Sequence, residues 1–507
     1  MRALFRCLPM FCLAGLPLFV HADIVVNTAI DENAANASCS LREAITAVNS
    51  QADYNGCTDA DLTWSKITFA IAPNAGEVQM LALAGALPIV SKPVFIDATT
   101  QTGSVCTPVP NLRVQITNPS AFGIDALAFG PGSSGSKVHG LAISGFTTGA
   151  GLILSSDADT IGCTIAGMDA SGTTAQANYE GIYVNGQSAT IGEASASAWF
   201  PNLISGNSFA NIAVYGNNAV IAGNYVGVDK TGLAPRQSGY GLLISAAGTH
   251  IGTGFSDGPA AHQRNIIGVQ SNGVNSSNEI DLEVASDTVF SGNYIGIGKD
   301  GQTLLPIGVG GGINVVASTN TLIGCNGVGS WDDCRNVIAN DGYTPISVGS
   351  GSFGITIVSN FINVAADGVT SLVSTFSQGV NLGASALFAR NVVSAGSGNG
   401  VVLLPPNDHS LTSVFLNSTP VGSGGATLDS SDNCFDDATL YGVQIVAYGS
   451  AIAAPTAFIR NWWGAADGPA PTGSGAIADA LVLTAPFLTA PSPYCGIDHI
   501  FADGFGG

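Results

Sequence analysis

The sequence predicts an all-β chain that winds into a parallel β-helix, a solenoid of short stacked strands. Short Val/Ile/Leu runs alternate with Gly, Asn, Ser and Asp beyond residue 65, and glycine alone accounts for 66 of the 507 residues. That part of the chain has no amphipathic helical pattern of useful length. The pattern of apolar runs and turn-forming residues also repeats every 60 to 72 residues. A period of that length divides into three turns of about 20 to 24 residues, the range of solenoid repeats.

The repeat contains four elements in a fixed order. Apolar strands begin with GIYV at 181, GLLI at 241 and GINV at 312, and an Ile-Gly pair follows each. The segments NLI, NII and NVI come next, and "GNYVGVDKTG", "GNYIGIGKDG" and "SNFINVAADG" carry the fourth element. About 400 residues at about 23 per turn predict roughly 17 turns and a rod near 80 Å. A string of antiparallel sandwiches is the alternative architecture.

One corner of the predicted solenoid carries asparagine in each repeat. Asn224, Asn293 and Asn360 occupy equivalent positions. Asparagines stacked along an axis can hydrogen-bond to one another as amide ladders do. We therefore assign these three residues a structural role.

The first 22 residues predict a cleaved signal peptide. A basic start, MRALFR, precedes the apolar run CLPMFCLAGLPLFV and a small-residue cleavage site before Asp23. The expected organisation is a signal peptide at 1–22, an N-terminal cap at 23–65, a β-helix at 66–465 and a C-terminal cap or tail at 466–507. No later segment has about 18 uninterrupted apolar residues, so no membrane span is expected.

Removal of this segment leaves eight of the ten cysteines. An even number in an exported chain favours disulfides over metal sites. Proximity in sequence favours two pairs, and a third would staple the C-terminal tail: Cys39 with Cys57, Cys325 with Cys334, and Cys434 with Cys495.

The segment "CSLREAITAVN", residues 39 to 49, predicts a short capping helix. Ser40 is the expected N-cap and Glu43 its capping-box partner. The apolar residues that follow have helical spacing and form one face. Because a solenoid exposes unpaired strand edges and an apolar interior at its ends, we interpret this helix as an end cap. The alternative is a catalytic use of Arg42 and Glu43.

Three segments resemble a family of exported bacterial proteins. Residues 39 to 49 resemble the CSLREA motif of that family, and the "IG…NxIxxN…GNxxG" pattern over about 140 to 365 resembles its β-helix repeats. "NWWGAADGP", from Asn461 to Pro469, resembles the signature that often finishes such helices. The resemblance implies a right-handed, single-stranded parallel β-helix of the pectin-lyase type in a secreted or surface protein. It implies little about activity.

The charge excludes some partners. The chain has 14 Lys and Arg against 35 Asp and Glu, a net charge of −21. Such a surface repels nucleic acid and anionic lipid. We expect neither as a partner.

Catalytic candidates are weak. Asp332, Asp333 and Arg335 form the densest cluster, and the two carboxylates could share acid and base roles, although a solvated, disulfide-tied loop is the simpler interpretation. No cofactor is expected, and calcium is the alternative at a second acidic cluster. That cluster and the other polar candidates, for which turn or outward strand positions are the simpler interpretation, are Asp432, Asp436, Asp437, Asp169, Asp229 and His139.

Aromatic residues give the better argument for binding. Trp462 and Trp463 alternate in a predicted strand, so one should point outward, where it could stack on a sugar ring. The structural alternative, and the simpler one, is that the pair covers the last turn. Tyr225 and Tyr294 are equivalent in the repeat and predict a column on which a glycan could stack, although stacking between turns explains the column equally well. We expect a secreted or cell-surface protein with a non-catalytic adhesion or glycan-binding role and a polysaccharide or surface glycan as partner. A polysaccharide lyase or hydrolase, and a purely structural protein, are the alternatives.

Overall fold

The fold was analysed in a computed structural model. It describes residues 23–58, 64–73, 76–194, 199–254, 260–271, 278–306, 310–325, 331–340, 343–349, 351–373, 379–384, 386–394, 400–403, 433–435, 443–445, 456–457, 460–478, 480 and 482–491. The predicted signal peptide lies outside these residues.

The chain forms a right-handed parallel β-helix with three long sheets. Sheet 1 contains twelve strands, in spatial order Ile24–Val26, Ser65–Phe69, Val94–Asp97, Lys137–His139, Thr160–Gly162, Thr190–Ile191, Val220–Ile221, His250–Gly252, Val289–Ser291, Leu322–Gly324, Ile355–Val358 and Ala386–Ala389. Sheet 2 contains twelve, Gln79–Ala82, Val114–Thr117, Leu141–Ser144, Ile165–Ala166, Leu203–Ile204, Tyr225–Val226, Ile266–Ile267, Tyr294–Ile295, Val337–Ile338, Phe361–Ile362, Val392–Val393 and Cys434–Phe435. Sheet 3 contains eleven, Leu127–Phe129, Ala150–Leu154, Glu180–Val184, Ala210–Val214, Tyr240–Ile244, Ile280–Glu283, Ile313–Val316, Ile346–Val348, Val380–Leu382, Val401–Leu403 and Val443–Ile445.

Two-stranded pairs and short helices lie outside the three long sheets. Four two-stranded pairs join Glu193–Ala194 to Trp199–Phe200, Arg236–Ser238 to Val269–Ser271, Thr456–Ala457 to Val482–Leu483, and Pro469–Ala470 to Gly475–Ile477. The helices of the described residues are Leu41–Ser50, Ala260–Gln263, Trp331–Cys334 and the 3-10 turn Ala98–Thr100. The predicted all-β parallel architecture is confirmed.

The predicted number of turns is wrong. The strands that contain GIYV and GLLI are separated in sheet 3 by one strand, Ala210–Val214, so each composite repeat contains two turns and not three. Each turn therefore uses about 30 residues. In the described residues, twelve stacked strands at about 4.8 Å give each of sheets 1 and 2 a length of about 55 Å.

Aliphatic columns fill the interior. In sheet 3, Ile182 pairs in register with Ile212, which pairs with Leu242, and all three side chains are fully buried. Each such side chain contributes about 1.5–3 kcal/mol by leaving water. The same inward positions repeat in every turn, so the core is continuous along the rod.

An asparagine ladder runs along the corner between sheets 1 and 2. The side-chain amide of each member donates to the carbonyl oxygen of the next at 2.9–3.3 Å. A second hydrogen bond goes to a backbone carbonyl of an adjacent turn, as from Asn224 to Ile191 at 2.8 Å. The predicted residues Asn224, Asn293 and Asn360 are alternate members. The fully buried members are Asn202, Asn224, Asn265, Asn293, Asn336, Asn360, Asn391, Asn433 and Asn461.

The glycine of the repeated Ile-Gly pair makes room for this ladder. Gly252 has a φ of 102°, and a Cβ placed there would lie 2.6 Å from Asn293 Oδ1 and 1.9 Å from the carbonyl oxygen of Ser291. Another residue at this position would need both a strained backbone and a displaced amide. The repeated glycine is therefore part of the ladder's geometry.

The N-terminal helix packs against the apolar interior as an end cap would. The Ser40 backbone amide donates to Glu43 Oε2 at 2.9 Å, and the Glu43 amide donates to Ser40 Oγ at 3.2 Å, which is the expected capping box. Burial alone would raise the pKa of Glu43, but hydrogen bonds led by those from Ser40 and Ala34 outweigh it and lower the pKa. Strand Ile24–Val26 then adds to the end of sheet 1.

Arg42 fixes the cap to the first turns. Its guanidinium makes a bidentate contact with Asp31 at 2.8 and 2.7 Å. It also donates to the carbonyl oxygens of Gly85 and Ala86. These contacts are structural, and they leave no donor set aimed at a substrate.

Three disulfides cross-link the described residues. Cys39 bonds to Cys57 and Cys325 bonds to Cys334, the two pairs favoured by sequence proximity. A third, between Cys106 and Cys163, was not anticipated because the two residues are 57 positions apart. Cys434 is disulfide-bonded, whereas its predicted partner Cys495 lies outside the described residues.

Candidate functional site

The densest predicted catalytic cluster lies on a short helix beside a buried arginine. Asp333 and the neighbouring Asp332 lie in the short helix Trp331–Cys334, where the Asp333 carbonyl oxygen accepts a hydrogen bond from Thr253 at 2.7 Å. The guanidinium of Arg335 is 8% exposed and lies 4.1 Å above the ring of Phe361. A buried cation held against an aromatic ring stabilises the corner and is poorly placed to meet a polymer.

The predicted tyrosine column is also buried. Tyr225 and Tyr294 lie in sheet 2 and are only 7% and 5% exposed. The ring of Tyr294 is covered by Arg264 at 4.3 Å. The equivalence of the two residues comes from packing between turns, so the expectation that they stack on a glycan is corrected.

The two tryptophans close the interior at the far end. Trp463 is fully buried and its ring lies 5.1 Å from that of Phe435. Trp462 is half-buried against the outer cluster of sheet 2. The pair covers apolar surface, as the structural alternative expects.

The remaining polar candidates occupy turns or clamps. Asp169 accepts backbone hydrogen bonds from Thr173 and Thr174, which with other hydrogen bonds lower its pKa against the effect of burial. Asp229 makes the same turn. No group of three metal-binding side chains occurs in the described part of the chain, and Asp432, Asp436 and Asp437 lie outside it.

His139 belongs to a buried clamp on sheet 1. Its Nε2 lies 3.0 Å from Glu193 Oε2, and Lys137 Nζ lies 3.7 Å from the other oxygen of that carboxylate. The ring packs against Phe200 of the same hairpin, 4.7 Å away. The His139 side chain was expected on the outside of its strand. The paired strands Glu193–Ala194 and Trp199–Phe200 cover it there.

The outward face of sheet 3 presents a group of aromatic rings that we call the aromatic strip. It comprises Tyr179, Tyr183, Phe209, Tyr215 and Tyr240. Three contacts join them: Tyr179 stacks on Phe209 at 5.0 Å, Phe209 meets Tyr240 edge-on at 5.6 Å, and Tyr183 meets Tyr215 at 5.3 Å. The rings span three consecutive strands of sheet 3.

Small residues beneath the rings explain this arrangement. Strand Ala210–Val214 presents Ala210 and Ala213 outward, between the larger residues of its two neighbours. Both alanines are fully buried by the rings and by Leu243. The rings therefore lie over the sheet, and the outermost two keep substantial exposure, 42% for Tyr179 and 38% for Tyr215.

Four carboxylates, which we call the strip acids, border the rings. They are Asp125, Glu180, Asp281 and Glu283. Burial, and then the charge of Asp125, raises the pKa of Glu180 to about 7. Burial and Glu283 also raise the pKa of Asp281, against hydrogen bonds from Asn314 and Asn278.

The phenols are close enough to sense these acids. Burial, followed by Glu180, Tyr183 and Glu283, raises the pKa of Tyr215. Burial, followed by Asp281 and Glu283, raises the pKa of Tyr240. Aromatic rings and carboxylates thus form one continuous surface.

A polar column extends this surface toward the C-terminal end. The outward position occupied by Tyr183 is occupied in later strands by Asp281, Asn314, Ser347 and Asn381. Asn314 Nδ2 donates to Asp281 Oδ1 at 2.8 Å, and Asn381 donates to Thr344 at 3.0 Å. Flat rings beside rows of amides and hydroxyls can hold sugar rings by stacking and hydrogen bonding.

The sequence alone does not group Tyr183, Tyr215 and Tyr240. They occupy different positions of the repeat, so alignment of equivalent residues cannot select them. The available signal is the strand motif itself, because GIYV places Tyr183 between Ile182 and Val184, whose side chains point inward. Their neighbours across the sheet depend on register.

The similarity of the chain to known proteins is low. No family model matches the chain, and no curated protein matches it. Among solved structures, the A-module of Azotobacter vinelandii mannuronan C-5 epimerase AlgE6 is 12% identical with a TM-score of 0.39, covering 91% of this chain and 98% of that one. The AlgE4 A-module is 11% identical with a TM-score of 0.32, covering 90% and 96%. A PL6 alginate lyase complexed with a trisaccharide is 12% identical with a TM-score of 0.26, covering 90% and 93%. These values are too low to support an argument about activity or substrate.

Proposed function

We propose that this protein is an exported glycan-binding protein whose ligand lies along the aromatic strip of sheet 3. The observation that carries the proposal is a pair of aromatic groups, five rings in all, that pack around the same small apolar cluster on a rigid sheet face, with Tyr179 and Tyr215 well exposed. Exposed aromatic groups on monomeric proteins mark binding surfaces when they are contiguous. The polar column beyond them supplies hydrogen-bonding groups for further sugar units.

The rigidity of the platform supports binding. Sheet 3 is paired on both sides along the strip, and its inward side chains are fully buried. A ligand therefore meets rings that are already ordered, which reduces the entropy lost on association. An extended chain also matches a surface that repeats every 4.8 Å or so along the rod.

Export is part of the proposal. Three disulfides in the described residues are typical of oxidising compartments. No helix of the described residues is long and apolar enough to span a bilayer. The signal peptide and membership of the CSLREA-motif proteins remain predictions, which N-terminal sequencing of the mature secreted protein would test at Asp23.

Binding is tested with single aromatic substitutions. Tyr215→Ala and Tyr183→Ala are expected to weaken binding of a responsive polysaccharide about tenfold each, the equivalent of about 1.4 kcal/mol. The matched control is Phe353→Ala, because Phe353 is 59% exposed and lies in an isolated β-bridge with Thr319, outside the strip. Calorimetric titration over a polysaccharide panel measures the effect. Equal loss in all three variants, or no binding by the parent protein, would contradict the proposal.

A glycan-cleaving enzyme is the second candidate, and one observation favours it. Burial and the charge of Asp125 raise the pKa of Glu180 to about 7, so the Glu180 carboxyl can donate a proton near neutral pH. Reducing-end release that falls as pH rises above about 7, and that disappears in Glu180→Gln, is the expected result for this reading. Retained binding without any release leaves the non-catalytic proposal in place.

A further inference from the structure

We infer that the glycan bound by the aromatic strip carries free amino groups. The inference rests on the proposed function and adds the chemical class of the ligand. Its basis is the charge of the surface that surrounds the rings.

All four strip acids lie on this face without compensation. None of Asp125, Glu180, Asp281 and Glu283 forms an ion pair with lysine or arginine in the described residues. The charges that act on Glu180 and Asp281 are themselves acidic, Asp125 and Glu283. Asp125 and Glu283 are exposed, Glu180 is half-buried and Asp281 is 4% exposed, so the first two are the acids most accessible to a ligand.

Two lysines of sheet 1 are paired with other carboxylates. Lys66 Nζ lies 3.1 Å from Asp97, and Lys137 Nζ lies 3.7 Å from Glu193. The total charge of −21 extends the same negative field over the molecule. A polyuronate, with one carboxylate per sugar, would meet repulsion along the whole strip.

An amino sugar fits both halves of the surface. Its ring presents an apolar face to Tyr183 or Tyr215, and its ammonium group lies at the ring edge. A cation beside tyrosine rings gains from their negative faces, the exposed carboxylate of Glu283 adds direct attraction, and a bound ammonium group favours the ionised form of Glu180. A neutral sugar would use the rings but leave these acids unpaired.

The test compares the affinities of three hexasaccharides for the protein. Glucosamine hexamer carries the amines, N-acetylglucosamine hexamer has the same backbone without charge, and a uronic acid hexamer carries the opposite charge. At pH 6 and 20 mM salt we expect the first to bind at least tenfold more tightly than the second, and the third to be the weakest. Because the attraction is electrostatic, the difference should shrink at 300 mM salt.

Two variants connect the preference to the acids. Glu180→Gln with Glu283→Gln is expected to remove the tenfold preference while binding of the acetylated hexamer stays. Glu77→Gln is the matched control, because Glu77 is exposed and precedes sheet 2. Circular dichroism confirms that each variant is folded.

The possible failures are distinguishable. Equal binding of the first two hexamers, or tighter binding of the uronic acid hexamer with or without calcium, overturns the amine inference and leaves the strip as a glycan site. A preference that survives in the double variant overturns it as well. Absence of binding by all three hexamers, together with silence across the polysaccharide panel, removes the proposed function and the inference together.

Discussion

The asparagine ladder can be tested by the substitution Asn293→Ala. The Asn293 amide donates to the Ile251 carbonyl at 2.9 Å and to Asn336 Oδ1 at 3.0 Å, and its oxygen accepts from Asn265 Nδ2 at 2.9 Å. Alanine leaves the Ile251 carbonyl and one Asn265 N–H without these partners. Asn336 Oδ1 keeps the hydrogen bond from the backbone amide of residue 293.

The magnitude follows from those two groups. Each buried polar group left without a partner costs about 1–3 kcal/mol, so the expected loss is about 2–6 kcal/mol. The matched control is Asn185→Ala, because Asn185 is exposed in a turn and outside the ladder. It is expected to change stability by less than about 0.5 kcal/mol.

Urea unfolding followed by far-ultraviolet circular dichroism measures both variants. The expected result is a clearly lower midpoint for Asn293→Ala and an unchanged midpoint for Asn185→Ala. If the two variants unfold at the same urea concentration, the ladder contributes no net stability and the reasoning from stranded groups is refuted.

Three further substitutions test other parts of the structure. Gly252→Ala, which would place a Cβ 1.9 Å from the Ser291 carbonyl at a φ of 102°, is expected to lower the melting temperature by several degrees, and an unchanged value would contradict the packing argument. Glu279 is 1% exposed, both its carboxyl oxygens lack hydrogen-bond partners in the described residues, and burial raises its pKa well above 4.5. Its contribution to stability is complete below pH 4.5 and is lost as pH rises through the folded-state pKa. The melting temperature of Glu279→Gln should therefore depend less on pH between pH 5 and 9 than that of the parent protein. An identical pH profile in the two proteins would show that this carboxyl does not control the pH dependence. Arg42→Ala strands the carboxylate of Asp31, whose side chain is 3% exposed, and is expected to cost about 3 kcal/mol in urea unfolding, whereas a loss below about 0.5 kcal/mol would mean that the cap holds without this pair.

The proposed site also explains why a long scaffold suits this protein. Each turn of the helix adds one strand to the face of sheet 3, and its outward residues can change without disturbing the inward column. Tyr183 and Asp281 occupy the same outward column, whereas the inward residues beside them remain aliphatic. Recognition can therefore vary along the rod while the core stays constant.

Much of the architecture was predictable because it depends on local pattern. The capping box of Ser40 and Glu43 follows from residues three positions apart, and the β-helix follows from punctuation that repeats. The ladder was predictable at Asn224 and Asn293, since an amide repeated at one corner must stack. The sequence does not fix how many turns one composite repeat contains. The repeat pattern assigns the asparagines at 202, 265 and 336 to a separate element, although they occupy the same corner as Asn224 in neighbouring turns.

The sequence by itself determined the fold class, the helical cap, the corner asparagines and the two short-range cysteine pairs, because contacts between near neighbours or equal repeat positions control them. The tertiary structure alone decided which aromatic residues face solvent. Tyr225 and Tyr294 are equivalent in the repeat yet buried, whereas Tyr183 and Tyr215 become neighbours through the pairing of Glu180–Val184 with Ala210–Val214. Register between turns is set by the whole stack, and a residue's exposure depends on what the adjacent turns place beside it.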